Sequence, residues 1–525
     1  MNPKSVSLFN SFSQKFLGLS QRDPVVTKDG ALEEKRRVYL DTTATSLMPE
    51  IVWRGLQDYL VQASANSHTE AHRAGRDTTI AIEDSRDAIG RLVGYDSKKD
   101  VVLFTSNGAT GATNFIARAL FPPELRVILK NEDCCPDTLM ECITKALGEK
   151  GLKIMKQLKE RHLVLATSME HHSNLLPWME AVGNQNMRFA EVKSDGTLNI
   201  DDFKRILDKE GERIRLVTLP GVSNVTGIIN PVYDVAELAH EAGCEILVDG
   251  AQWVPHAKIE MNPKGVGRHI DYLTLSGHKM YAPGSRGALV GKIEALKARS
   301  CISDVGGGMV EYVSIDDFIL KDKVTAREEP GTPNIPGSIS MGLVAEAMMA
   351  IGMDEIEKRE HRLTEILIKK LSAIDDVLIA GSINLKKVPR AGVVSFGVKG
   401  IHHGLVAAYL NDFYNVAVRN GCFCAQPYVK RLLDLDCDID ELYQKSVLAG
   451  DRSYIPGMVR ASLGIYSTED DIDVLVESLN DLIANREWAL ENYKTDKSGT
   501  FKLQSRKPLP TTFSVAGFIK EWSGK

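Results

Sequence analysis

The chain has 525 residues, of which 43% are hydrophobic and 26% charged, and a formal net charge of -6 at pH 7. This composition is ordinary for a soluble globular protein, the length allows about three or four domains, and an acidic balance without a basic block argues against a nucleic-acid binder. No apolar run approaches the roughly 20 residues of a membrane span, and eight scattered cysteines fit thiols kept reduced in a cytoplasm better than a disulfide scaffold.

Residues 1–21 contain no acidic side chain and several serines, a bias shared with transit peptides, but they hold no arginine and no clear apolar core. Residues 1–37 therefore read as a flexible or docking arm. Residues 101–105 read as a strand, after which Asn107-Gly108-Ala109-Thr110 turns into an apolar helix over 115–120. Such a turn offers backbone N–H groups and a positive dipole end to an anion. Ala109, through its backbone, and Thr110, through its hydroxyl, are the candidate phosphate ligands, although Thr is also a common helix cap. Residues 139–158 have helical spacing and many lysines, as a solvated surface helix would. The strand 163–167 delivers Glu170-His171-His172, and an imidazole there can stack on an aromatic ring and move a proton near neutral pH. A strand at 214–219 ends at Val222-Ser223-Asn224, and 232–242 is an amphipathic helix. Strands at 245–249, 271–275 and 287–290 follow. This strand–helix alternation predicts a mainly parallel sheet covered by helices, with ligands at the C-terminal edge. A long helix over 341–371 then leads to a smaller α/β domain, with a strand at 392–398, a helix at 405–413 and a strand at 416–418. Ser467-Thr468-Glu469-Asp470 resembles a capping box before a last amphipathic helix, and residues after about 492 read as a Lys- and Ser-rich tail.

The chemistry concentrates on Ser276-Gly277-His278-Lys279, at the end of a strand-like run. A lysine there can hold an aldehyde cofactor as a Schiff base, provided burial lowers its pKa enough to free the amine. Ser276 and His278 flank it and can donate to a phosphate. Upstream, Glu245-Ile246-Leu247-Val248-Asp249 is a short apolar run with a carboxylate at its end. Taken alone, Lys279 reads as a surface lysine and Asp249 as a structural acid or cap. Together they point to pyridoxal 5'-phosphate (PLP), whose ring nitrogen stays protonated beside a carboxylate.

Asp249-Gly250-Ala251-Gln252 followed by Ser276-Gly277-His278-Lys279 resembles the cysteine desulfurase and selenocysteine lyase family, within the class V aminotransferases of PLP fold type I. The resemblance runs from about 39 to about 483. It includes Tyr39-Leu40-Asp41, Glu170-His171-His172, Val222-Ser223-Asn224, Gly331-Thr332-Pro333-Asn334, Arg419-Asn420-Gly421-Cys422-Phe423-Cys424 and Val459-Arg460-Ala461-Ser462. It implies an α/β fold with a large domain, 38–340, built on a seven-stranded type of sheet, and a small α/β domain, 341–491. Residues 121–161 look like an insertion and 492–525 like a tail. It assigns PLP to Ala109, Thr110, His171 as the stacking ring, Asn224, Asp249, Gln252, Ser276, His278 and Lys279. The family turn carries Gly-Thr-Thr, so Ala109 is a departure that keeps only a backbone contact. Thr332 reaches the phosphate of a partner subunit in the family, which implies a homodimer with shared sites. Asn224 and Arg460 are placed at the substrate carboxylate, which a planar guanidinium can hold bidentately.

Cys424, followed by Ala425, matches the sulfur-accepting cysteine of the desulfurases. Cys422 stands where better-known relatives have histidine, and the Gly-Cys-Phe-Cys segment is also similar to the desulfurase-like domain of molybdenum cofactor sulfurases. Ordinary buried thiols are the bland alternative, and no second cysteine pair of suitable spacing supports a metal site. The resemblance implies sulfur removal from cysteine to give alanine, with Lys279, His171 and Cys424 catalytic and a sulfur-acceptor protein as a possible partner. An aminotransferase, epimerase or C–S lyase with no nucleophilic cysteine is the alternative.

Overall fold

The computed structural model describes residues 3–122, 145, 148, 161–297, 305–453, 455–504 and 511–524. The expected insertion at 121–161 and its lysine-rich helix lie largely outside the described residues. In chain order the large sheet takes Asp100–Thr105 (β1), Leu163–Thr167 (β2), Met187–Ala190 (β3), Ile214–Pro220 (β4), Glu245–Asp249 (β5), Tyr272–Ser276 (β6) and Gly287–Lys292 (β7). Their spatial order is β1-β7-β6-β5-β4-β2-β3. β7 runs antiparallel to both its neighbours, and the other pairings are parallel. β2 and β6 are buried along their whole length, which is why they read as continuous apolar runs with no polar alternation. The ends of β1, β2, β4, β5 and β6 therefore emerge on one edge.

That edge is closed by a close backbone approach. A Cβ added to Gly287 would lie 2.1 Å from the carbonyl oxygen of Gly108. Only a glycine lets the start of β7 pass under the first turn of the helix Gly108–Leu120.

The smaller sheet takes Val377–Ile379 (β8), Val393–Val398 (β9), Arg419–Gly421 (β10) and Met458–Ser462 (β11), ordered β8-β9-β11-β10 and antiparallel throughout. Its core includes Phe396, Leu405 and Leu475, and also Val26, Val38 and Leu40 from the start of the chain. Val38–Tyr39 pairs in parallel with Val416–Ala417.

Three expectations change in detail. The single helix expected over 341–371 is two, Ile335–Ile351 and Met353–Ser372, bent by 81°. The break is Gly352 at φ +96°, a backbone conformation that ends a helix where other residues would resist it. The capping box is made by Thr468 and Asp471, one residue beyond the expected end. The tail after 492 contains a strand pair, Tyr493–Thr495 with Phe501–Leu503, and a helix, Val515–Ser523. Of the two readings of the N-terminal arm, docking is the one observed. Phe9, Phe12 and Phe16 are buried, and the Phe16 ring meets Tyr281 and Tyr466 edge-on at 5.7 and 4.9 Å. Among the described residues no single helix is long and apolar enough to cross a membrane.

One ion-pair cluster sits at the opposite end of β6 from Lys279. His240 contacts the Gly267 carbonyl through Nδ1 at 2.6 Å and Asp271 through Nε2 at 2.9 Å. Both partners are acceptors, so the ring is held as imidazolium. His269 stacks on it at 4.1 Å and 12°; two parallel rings do not converge their in-plane lone pairs on one metal ion. Burial alone would push His240 down, but the bonds to Asp271 and Gly267 outweigh it and raise its pKa. A raised histidine contributes stability that is complete below the unfolded value of about 6.5 and lost as pH rises through the folded value. His240→Gln is expected to lower the urea midpoint at pH 6, with the deficit shrinking as pH rises through the raised pKa of His240. A deficit that does not change with pH sinks this reading.

Candidate active site

At the C-terminal edge a cleft of about 210 Å³ opens between the two sheets. Of the residues expected there, Ala109, Thr110, His171, Asn224, Asp249, Ser276, His278, Lys279, Cys424 and Arg460 line it. Larger clefts, of about 370 Å³ beside His256 and Glu360 and about 490 Å³ beside Arg86 and Tyr95, bring no thiol into their walls.

Lys279 is carried by a short 3-10 turn, Gly277–Lys279, directly after β6. Its Nζ has no hydrogen-bond or ion-pair partner among the described residues. Burial pushes its amine down, while the charge of Asp249 pulls it part of the way back. Asp249 ends β5, is 6% exposed, and accepts from the Ala251 N–H at 2.9 Å. Burial raises its pKa and Lys279 opposes that. Nearby Glu170 is also buried, and desolvation lifts it to about 8 although it accepts from Thr167 and Asn174. Near pH 7 Glu170 is therefore mostly neutral, while at Asp249 the charge of Lys279 opposes the rise that burial causes.

His171 accepts from the Ser173 N–H through Nδ1 at 3.1 Å. An accepting Nδ1 places the ring proton on Nε2. Burial first, then the charge of Lys279, drives its pKa down to about 3, so the ring is neutral in the working range. The phosphate-type corner is built from the first turn of the helix Gly108–Leu120, capped by Asn107 at φ +55°. The Ser276 hydroxyl accepts from the Ala109 N–H at 2.8 Å, and the Thr110 and Ser173 hydroxyls lie 2.7 Å apart. A Cβ on Gly108 would sit 2.8 Å from Ser276 Oγ and 3.3 Å from His278 Cε1. The corner thus exists because position 108 has no side chain.

Two expected residues do not line the cleft. Gln252 is 3% exposed, donates to the Thr43 carbonyl at 2.9 Å, and leaves its Oε1 without a partner. Thr332 is exposed and accepts from the Asn66 amide at 2.9 Å. Neither touches the lysine of its own chain.

The thiol side is more constrained than a glycine-led loop suggests. Gly421 ends β10 at φ +105°, but Phe423 and Cys424 follow at +53° and +55°, and Ala425 N–H bonds back to the Cys422 carbonyl at 2.8 Å. This is a type I′ turn made by two residues that carry side chains, at a cost of about 1–2 kcal/mol each. The turn is pinned from outside. Asn224 donates to the Phe423 carbonyl at 2.8 Å, and the His172 N–H donates to the Cys424 carbonyl at 2.7 Å. Cys424 is exposed to the cleft, whereas Cys422 is half-buried and points away, donating to the Pro456 carbonyl at 3.0 Å. Burial pushes the Cys422 thiol up to about 11.

Arg460 is 2% exposed. It donates to the Asn224 carbonyl at 3.1 Å and to Asp41 at 3.2 Å, while its Nε is unpartnered. Burial lowers it to about 10 against the pull of Asp41. Directly across the strand pair stands Arg419, which also lines the cleft. Like charges facing each other across a ladder are unfavourable, and an anion between them relieves that. Arg419, Ser173 and Asn107 were missed as site residues. Arg419 stood inside a noted motif, but only its register against Arg460 reveals it.

The family model described as aminotransferase class-V matches residues 38–135 and 142–475, and the chain belongs to that family. A probable cysteine desulfurase of Halalkalibacterium halodurans is 32% identical over 444 residues, covering 84% of this chain and 92% of the relative. Another from Synechocystis is 31% identical, covering 84% and 90%. Among solved structures, the apo cysteine desulfurase of Thermococcus onnurineus is 28% identical at a TM-score of 0.66, covering 85% of this chain and 94% of that one. A cysteine desulfurase of Escherichia coli in an S-sulfonic acid form is 25% identical at 0.65, covering 85% and 95%.

Proposed function

We propose that this chain is a PLP-dependent cysteine desulfurase that removes sulfur from L-cysteine to give L-alanine, with Cys424 as the sulfur acceptor. The observation that carries this is the exposed Cys424 thiol in the same cleft as an unpartnered lysine amine, a buried carboxylate and a buried arginine. The donor set fits the cofactor: Lys279 for its aldehyde, Asp249 for its ring nitrogen, and the Gly108–Leu120 helix start with Thr110, Ser276 and His278 for its phosphate. When bound, PLP supplies an electron sink for bonds broken at the Cα of an amino acid.

The chain's own residues do the rest. Lys279, its amine freed by burial, takes or returns the proton at Cα through Nζ. His171 holds its proton on Nε2 and presents a neutral ring. Arg460, with Arg419 opposite, holds the substrate carboxylate. Cys424 Sγ, as thiolate, bonds to the substrate's sulfur as the Cβ–S bond breaks; the electron pair stays with the carbon fragment, which is protonated to alanine, and Sγ carries the sulfur as a persulfide, from which an acceptor protein or thiol removes it. Incubating the holoenzyme with a panel of amino acids and measuring alanine and sulfide tests the reading. Release of neither from L-cysteine would refute it.

The active form in this reading is a cytoplasmic homodimer with shared sites. Thr332 is exposed and away from its own cleft, and the neighbouring strand pair exposes Tyr312, Val313, Ile315, Phe318 and Ile319, an apolar surface of the kind that subunits cover. Sedimentation at assay concentration is expected to give a dimer; a fully active monomer would contradict it.

A further inference from the structure

Phe423 makes two contacts that tie the carboxylate-binding wall of the cleft to the turn that carries the thiol. Its ring faces the Arg460 guanidinium, with 4.9 Å between that carbon and the ring centroid. Its carbonyl accepts from the Asn224 amide at 2.8 Å. Arg460 itself donates to the Asn224 backbone carbonyl at 3.1 Å, so the three residues close a circuit of contacts beside Cys424. The ring is 4% exposed, and its backbone is held at φ +53°, followed by Cys424 at +55°. A left-handed pair of this kind persists only where the surroundings over-determine it.

The hydrogen bonds of Arg460 do not by themselves fix its plane. Its bonds to the Asn224 carbonyl and to Asp41 are long, at 3.1 and 3.2 Å, and Nε has none. An aromatic face attracts the guanidinium through its quadrupole and leaves the N–H edges free for a carboxylate. The same residue's backbone fixes how far Cys424 stands from that carboxylate.

We propose that Phe423 is a positioning residue: it aligns Arg460 for the substrate carboxylate and holds Cys424 at a set reach from it. This rests on the desulfurase reading of the cleft. The ring itself contacts Arg460, and its burial anchors the turn whose backbone carries Cys424, so replacing it disturbs both ends. Cys422, on the other side of the same turn, faces Pro456 and takes no part.

The experiment compares full-length holoenzyme with Phe423→Leu and Phe423→Tyr. Leu keeps an apolar side chain of similar bulk and removes the π face, whereas Tyr keeps the face. Three quantities are read: KM and kcat for L-cysteine, the affinity for L-alanine followed by cofactor absorbance, and the rate at which iodoacetamide alkylates Cys424, located by peptide mass. Phe423→Leu is expected to raise KM and weaken L-alanine binding by about tenfold, to change kcat less than KM, and to alter the alkylation rate as the turn loosens. Phe423→Tyr is expected to restore both affinities to within about twofold of the parent. A Leu variant that binds L-alanine as tightly as the parent overturns the proposal, as does one that loses kcat at unchanged KM. Where the Leu variant does not fold, Phe423→Met provides the same comparison and is judged by the same outcomes. If the parent releases no sulfide from L-cysteine, the desulfurase reading fails, and L-alanine binding with the alkylation rate still decides the role of Phe423.

Discussion

Cys424→Ser is expected to retain PLP and bind L-cysteine while sulfide release falls by at least about 10³-fold, the scale of losing a nucleophile. The serine hydroxyl fits the same turn, because Cys424 already occupies its left-handed backbone without help from its side chain. It cannot carry sulfane sulfur, since an alkoxide would have to form where a thiolate suffices. Cys422 is not positioned to substitute: its thiol is half-buried, bonded to the Pro456 carbonyl and pushed up to about 11 by burial. Cys422→Ser is correspondingly expected to keep most of the activity. Sulfide and alanine assays on both variants give the answer. A Cys424→Ser enzyme that still makes alanine and sulfide at the parent's rate removes the persulfide step and favours a C–S lyase without a nucleophilic cysteine.

Lys279→Ala is expected to lower turnover by roughly 10³–10⁴-fold, the combined loss of a covalent anchor and a general base. Its protein fold should survive. Nζ makes no hydrogen bond among the described residues, so its removal leaves no donor or acceptor stranded, and a buried amine is itself unfavourable. Borohydride reduction of the parent holoenzyme followed by peptide mapping should place the cofactor on Lys279. A label on any other lysine, or an active Lys279→Ala enzyme, would displace it from the centre of the mechanism. Asp249 makes a milder companion. Asp249→Asn removes the charge proposed for the cofactor's ring nitrogen and also the charge that opposes the lowering of Lys279 by burial.

The sequence by itself determined the elements that meet at the sheet edge. Apolar runs of five or six residues ending in Thr105, Thr167, Asp249 and Ser276 are visible because these strands are buried on both faces and cannot alternate. Lys279 and Asp249 were legible for the same reason: each directly follows or ends such a run, where its side chain has one place to go. Cys424 and Arg460 came from the ordered motifs. Tertiary structure alone decided which residues share a wall. Arg419 faces Arg460 through the register of two strands separated in sequence by a long excursion, and periodicity carries no information about that pairing. Gln252 sits in a motif that predicts cofactor contact, yet it is buried away from the cleft lining and donates to the Thr43 carbonyl, because side-chain direction in a loop is set by packing. The break at Gly352 was hidden by helix-forming residues on both sides. The turn that presents Cys424 could not be read from Gly421 either: its left-handed Phe423 and Cys424 are pinned by Asn224 and by the His172 backbone, contacts from loops that lie far away in the chain.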